Sequence, residues 1–126
     1  MKVLVAEDEP MLLKTIELKL KKEGYEVIPC VDGREAVAKI EESDPDMVIT
    51  DIMMPFISGL EIVSIIRQKL NKKIPIIILS AMEQEKVVME AFELGVDDYI
   101  TKPFSLNEMA IRVKRLMNQY GRFPNK

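Results

Sequence analysis

Short apolar runs that each stop on polar residues alternate along this chain with stretches of helical periodicity. Val3-Leu-Val-Ala6 stops on Glu7-Asp8, and Met47-Val-Ile-Thr50 stops on Asp51. Ile76-Ile-Ile-Leu79 stops on Ser80-Ala81, and Tyr99-Ile-Thr101 stops on Lys102-Pro103. Runs this short and this apolar suit parallel strands covered by helices on both faces. In an open parallel sheet, ligands bind beyond the carboxyl ends of the strands, so the four stops are expected to converge on one crevice. Carboxylates, a hydroxyl and an ammonium gathered there could hold a divalent cation and a phosphoryl group.

The intervening segments read as helices. Pro10 suits a first helical turn, and Leu12, Ile16 and Leu20 repeat at helical spacing until Gly24. Glu26 to Cys30 reads as a second strand, and Asp32-Gly33 then opens a helix with Ala36, Val37 and Ile40 on its apolar face, closed by Asp44-Pro45. A loop with Pro55 and Gly59 leads to a helix carrying Ile62, Val63, Ile66 and Leu70. Val87, Ala91 and Leu94 mark the next helix, with Gly95 at its C-terminus. Ser105-Leu-Asn-Glu108 has the form of a capping box, and Leu106, Met109, Val113 and Leu116 follow as a buried stripe. Five strand–helix units with right-handed crossovers make a doubly wound, three-layer α/β/α sandwich.

Composition narrows the function. A chain of 126 residues is one domain, and 48% hydrophobic with 31% charged residues is the balance of a soluble globular protein. No apolar stretch is long enough to span a bilayer, and Met1-Lys2 runs straight into a strand rather than a signal peptide. Cys30 is the only cysteine, which excludes an internal disulfide, makes a reducing cytoplasm the expected location, and reads as a small buried strand residue. A net charge of −3 with mixed signs does not suggest a nucleic-acid surface on this domain. Histidine is absent, so any imidazole chemistry must come from a partner.

Glu7-Asp8, Asp51-Ile-Met-Met-Pro55 with Gly59, Ser80-Ala81 and Lys102-Pro103-Phe104, in this order and each after its strand, resemble the motifs of response-regulator receiver domains. The likeness covers residues 1–120, and 121–126 read as a tail or the start of a linker. It implies the flavodoxin-like, CheY-like fold, with strand order 2-1-3-4-5. It also implies that Asp51 accepts a phosphoryl group from the phosphohistidine of a sensor kinase or phosphotransfer protein. A carboxylate is a competent nucleophile for this, and the acyl phosphate formed is a labile, reversible mark. Glu7 and Asp8 match the acidic pair that holds Mg²⁺. By the resemblance, Asp8 and Asp51 ligate the ion directly, the Met53 carbonyl is a third protein ligand, and Glu7 acts through water. Lys102 would reach the phosphoryl oxygens, aimed by a cis Pro103. Ser80 would hydrogen-bond the phosphoryl group, and Tyr99, the switch aromatic, would change rotamer in response.

Gly95-Val-Asp-Asp-Tyr-Ile-Thr-Lys-Pro-Phe104 further resembles the OmpR/PhoB subfamily, in which a receiver is fused to a winged-helix DNA-binding domain. That likeness implies a transcriptional output and a homodimer formed on phosphorylation through the face of the fourth helix, fifth strand and fifth helix. Asp98 and Arg112 fall where the subfamily makes an intersubunit ion pair. Glu108 falls on another such position, but its usual basic partner is replaced by Val88, with Lys86 nearby, and Glu108 is equally the capping-box acid. Met53 and Met82 occupy the two positions that guide hydrolytic water in the family, and neither side chain can orient one, which implies slow self-dephosphorylation.

Two other readings compete. A Mg²⁺-dependent hydrolase using an aspartyl-phosphate needs a second acid two residues after the nucleophile, where this chain has Met53, and a substrate cap, which it lacks. An interaction module that is never phosphorylated would not need all of its acidic, hydroxyl and lysine corners intact.

Overall fold

Successive residues of β1 (Lys2–Ala6) point into different cores, and this division organises the molecule. Val3 and Val5 enter one apolar cluster, with Leu13, Ile16 and Leu20 of α1 (Pro10–Lys22) and Met109, Val113 and Leu116 of α5 (Leu106–Gln119). Leu4 and Ala6 enter a second, with Ala36 and Ile40 of α2 (Gly33–Ser43), Ile62 and Val63 of α3 (Gly59–Ser64) and Ala91 of α4 (Glu85–Leu94). Between the helix layers lie β2 (Glu26–Cys30), β1, β3 (Met47–Thr50), β4 (Ile76–Ser80) and β5 (Asp98–Thr101), all parallel and paired in the order β2-β1-β3-β4-β5. The expected three-layer, flavodoxin-like sandwich is therefore the fold. The computed structural model describes residues 1–121; of the expected tail, 122–126 lie outside the described residues.

Every residue of β3 and β4 is buried, as strands covered on both faces require. Pro29, which cannot donate to a ladder, sits on the edge strand β2 opposite Val5. Helix ends follow their local chemistry. Asp32 caps α2 by accepting the Glu35 amide at 2.8 Å, and Gly95 ends α4 at φ 109°. Ser105 caps α5 by accepting the Glu108 amide at 3.2 Å, while the Glu108 carboxylate lies 3.4 Å from Arg112, one turn on. Only half of the capping box forms.

The third helix departs from its expected form. An α-helical start passes into a π-helical segment, Ile65–Lys69, closed by the Leu70 amide on the Ile65 carbonyl at 2.8 Å. Arg67 lies on this wide turn, and its guanidinium reaches three places at once. It donates to the Gly95 carbonyl at 3.0 Å, the Lys72 carbonyl at 2.8 Å and the Asp97 carboxylate at 3.1 Å. Regular helical spacing of apolar residues does not reveal the wide turn or the contacts it lets Arg67 make.

Cys30 is fully buried, and burial pushes its thiol up to about 12. The native protein is therefore expected to leave an aromatic disulfide reagent unreduced at pH 8, with a full equivalent reacting in denaturant. Fast native reaction would show that the β2 edge opens readily.

Candidate functional site

Glu7 and Asp51 follow the two neighbouring central strands β1 and β3, and Lys102 follows β5. The parallel register brings them together at the carboxyl edge of the sheet. Lys102 Nζ donates to Glu7 Oε1 at 2.7 Å and to Asp51 Oδ2 at 2.6 Å. The backbone holds the other carboxylate oxygens. Asp51 Oδ1 accepts the Ile52 amide at 2.6 Å, and Glu7 Oε2 accepts the Glu9 amide at 3.1 Å. Asp8 is exposed, and its side chain makes no hydrogen bond to a described residue.

Glu7, Asp8 and Asp51 each offer one carboxylate oxygen, and these atoms lie within 4.8 Å of one another. Three anions face one ammonium, which leaves the cluster short of positive charge. Burial raises the Glu7 carboxyl above its ordinary range, although hydrogen bonds from Lys102 and the Glu9 amide oppose it. Burial disfavours the Lys102 ammonium too, but its bonds to Asp51 and Glu7 outweigh that cost and leave its pKa raised. An all-oxygen donor set with a negative surplus fits a hard cation such as Mg²⁺, which takes one or two carboxylates and keeps several waters.

Close packing fixes the loop after β3. The Gly59 amide donates to the Ile52 carbonyl at 2.8 Å. A Cβ on Gly59 would overlap the Asp51 carbonyl oxygen, so only glycine lets α3 begin this near the site. Met53, two residues past Asp51, is 68% exposed at the rim.

Ser80 ends β4 buried, and its Oγ accepts the Met82 amide at 3.0 Å. The Met82 carbonyl in turn accepts the Tyr99 hydroxyl at 2.6 Å. The β4–α4 loop thereby joins the serine to the half-buried tyrosine. Sequence reasoning singled out both residues but not the Met82 backbone that links them, since a backbone relay leaves no residue-type signal. The Lys102 amide donates to the Ser80 carbonyl at 2.9 Å, and the Lys102–Pro103 peptide is cis, as the resemblance implied.

Away from these corners, Arg112 Nη1 meets Asp98 Oδ1 at 2.9 Å within the same chain. Asp98 Oδ2 is buried without a hydrogen bond among the described residues, and Arg115 approaches it only to 3.9 Å. Glu108 pairs with Arg112 rather than with α4.

The family model for the response regulator receiver domain matches residues 3–114. The chain is similar to a solved receiver domain of Francisella response regulator 1452, at 38% identity over 94% of this chain and 98% of that one, with a TM-score of 0.89. It is also similar to the chemotaxis response regulator CheY4 of Vibrio cholerae, at 31% identity, 91% and 97% coverage and a TM-score of 0.84. A receiver domain protein of Clostridium thermocellum matches at 29% identity, 95% and 96% coverage and a TM-score of 0.88.

Charge crowding at the site has a measurable consequence. Asp8→Asn is expected to raise the melting temperature in metal-free buffer by roughly 2–4 °C, through relief of like-charge repulsion. The same change should shrink the stabilisation produced by added Mg²⁺. A lower melting temperature without metal would show that Asp8 has a structural partner.

Proposed function

This chain belongs to the response regulator receiver domain family, and from that premise we propose that Asp51 is the residue phosphorylated in its switching. The observation that carries this is how Asp51 is held at the end of a central strand. One carboxylate oxygen is fixed by the Ile52 amide and the other by the Lys102 ammonium, so the nucleophile is oriented before any donor arrives. An Asp51 carboxylate oxygen attacks the phosphorus of a partner's phosphohistidine, the P–O bond forms, and the P–N bond breaks. The imidazole leaves with the bonding electron pair and takes a proton from solvent. Lys102, already 2.6 Å from Asp51, then neutralises phosphoryl oxygen charge.

Asp8 and Asp51, with the Met53 carbonyl, are the residues proposed to hold Mg²⁺ directly. The bound ion supplies positive charge to the phosphoryl oxygens. Glu7, like Asp51, already holds Lys102 and a backbone amide, and its proposed role through water rests on the family resemblance.

Ser80 and Tyr99 form the proposed readout. Drawing the Ser80 hydroxyl toward a phosphoryl oxygen disturbs its bond to the Met82 amide, and the Met82 carbonyl carries that change to Tyr99. The output is a population shift of the face made by α4, β5 and α5. We assign the chain to the OmpR/PhoB type, with transcription as its output and a phosphorylation-dependent homodimer on that face. Support comes from the likeness of Gly95–Phe104 to that subfamily, which puts Asp98 and Arg112 at the positions of its ion pair. Here the Asp98–Arg112 pair is closed within one chain, so dimerisation would trade it for the same pair between chains and gain little from charge alone.

Acetyl phosphate with Mg²⁺ is expected to add one phosphoryl group, lost in Asp51→Asn and kept in Asp46→Asn, as read by mass spectrometry. Undiminished labelling of Asp51→Asn would overturn the assignment. The mark should also be long-lived, since Met53 and Met82 offer no side-chain group to orient water. Met53→Asn with Met82→Glu should speed its loss about tenfold, on the scale of a small general-base contribution. An unchanged decay at saturating Mg²⁺ would place control of the lifetime elsewhere.

A further inference from the structure

The loop between β3 and α3 contains a backbone turn that its sequence disfavours. Phe56 has φ 71°, the left-handed region that bulky side chains rarely adopt. The Ile57 amide donates to the Pro55 carbonyl at 2.9 Å across it, closing a three-residue γ-turn of the strained, positive-φ kind. The Phe56 ring is 66% exposed, so burial in a core does not hold it.

The first turn of α2 does the holding. Arg34 places its guanidinium carbon 3.9 Å from the Phe56 ring centroid. Beside it, the Gly33 amide donates to the same Pro55 carbonyl at 3.3 Å. A Cβ on Gly33 would overlap the Ile57 carbonyl oxygen, so the turn is seated directly on the helix start. At its other end the loop is tied by the Gly59 amide to the Ile52 carbonyl at 2.8 Å. The segment carrying Met53 is thus fixed on one side by Gly59 against Asp51 and on the other by Arg34 and Gly33 of α2.

We propose that Arg34 is a positioning residue for the Asp51 site, its guanidinium clamping the strained turn at Phe56 and so fixing the loop that carries the Met53 carbonyl. This rests on the reading of Asp8, Asp51 and Met53 as the Mg²⁺ ligands. Arg34 acts through the ring and the backbone, not on the ion. The sign of its effect separates this role from simple electrostatics. Removing a nearby positive charge favours cation binding, whereas loosening a ligand-bearing loop weakens it.

The test is calorimetric titration of the whole chain with Mg²⁺ alone. Measurements compare wild type, Arg34→Ala, Arg34→Lys, Phe56→Leu and the double variant Arg34→Ala/Phe56→Leu. Arg34→Ala is expected to weaken Mg²⁺ binding about two- to fivefold, the size of an exposed cation–π contact. Arg34→Lys should recover part of the loss by keeping a cation over the ring. Phe56→Leu should lose as much as Arg34→Ala, and the double variant no more than either single change, because all three remove one shared contact. Tighter binding by Arg34→Ala would overturn the proposal in favour of a charge effect. Unchanged affinity with a lower melting temperature would overturn it in favour of a purely structural contact. Additive losses would overturn it by showing two independent effects. Mg²⁺ binding by wild type with no loss in Arg34→Ala rejects this inference alone, whereas no Mg²⁺ binding by wild type rejects the site reading and this inference with it.

Discussion

One ammonium shared by two carboxylates holds the functional end of the molecule together. Lys102 joins the ends of β1, β3 and β5 through Glu7 and Asp51. Without such a bridge, acids on adjacent buried strands would repel each other where the surrounding medium screens least. The bridge is also incomplete, because Asp8 leaves a third negative charge beside it. A site where three carboxylates face one ammonium is poised to bind a cation and, once that cation is present, a further anionic group. The imbalance that costs stability is therefore also the basis of the proposed chemistry.

The sheet makes this imbalance tolerable by fixing backbone groups around it. Ile52, in the loop just past β3, and Glu9, the residue before α1, present amides to Asp51 and Glu7. Gly59 allows the next helix to begin against the Asp51 carbonyl, a distance no side chain would permit. The two cores on either side explain the rigidity. Val3 and Leu4 anchor β1 in opposite directions, as Val48 and Ile49 anchor β3, so a one-residue slip of either strand would send each side chain into the opposite core and disrupt the packing of both.

Much of this was legible in the sequence, because strand identity and strand-end chemistry are local properties. The stops at Glu7-Asp8, Asp51, Ser80 and Lys102 located the crevice, and Gly95 and Ser105 marked a helix end and a helix start as read. Partners fixed by tertiary geometry were not legible. Arg67 lies within a stretch whose apolar spacing is that of a regular helix, yet on the π-turn it is the hub for Gly95, Lys72 and Asp97. Asp98 and Arg112 were expected as partners between subunits, and their pairing inside one chain depends on where α5 lies over β5. The Tyr99 bond to the Met82 carbonyl escaped for a related reason. Side-chain type reveals a hydroxyl in need of an acceptor, but not which backbone oxygen the fold will bring to it.

Stability is distributed unevenly, in a way that suits a switch. Among the described residues, α5 contributes Met109, Ala110, Val113, Leu116 and Met117 as buried side chains, whereas α4 contributes only Ala91. Met89 and Phe92 of α4 remain exposed. The helix least held by burial is the one that follows Ser80 and the Met82 backbone. Elements with few buried apolar contacts open and shift at the lowest free-energy cost. A change of hydrogen bonding at Ser80 therefore meets little resistance in α4, while the strands that hold Asp51 and Lys102 stay fixed by two cores. A rigid site of the proposed acceptor residue, joined to a loosely packed helix, would let a local change in bonding alter a distant face without unfolding the domain.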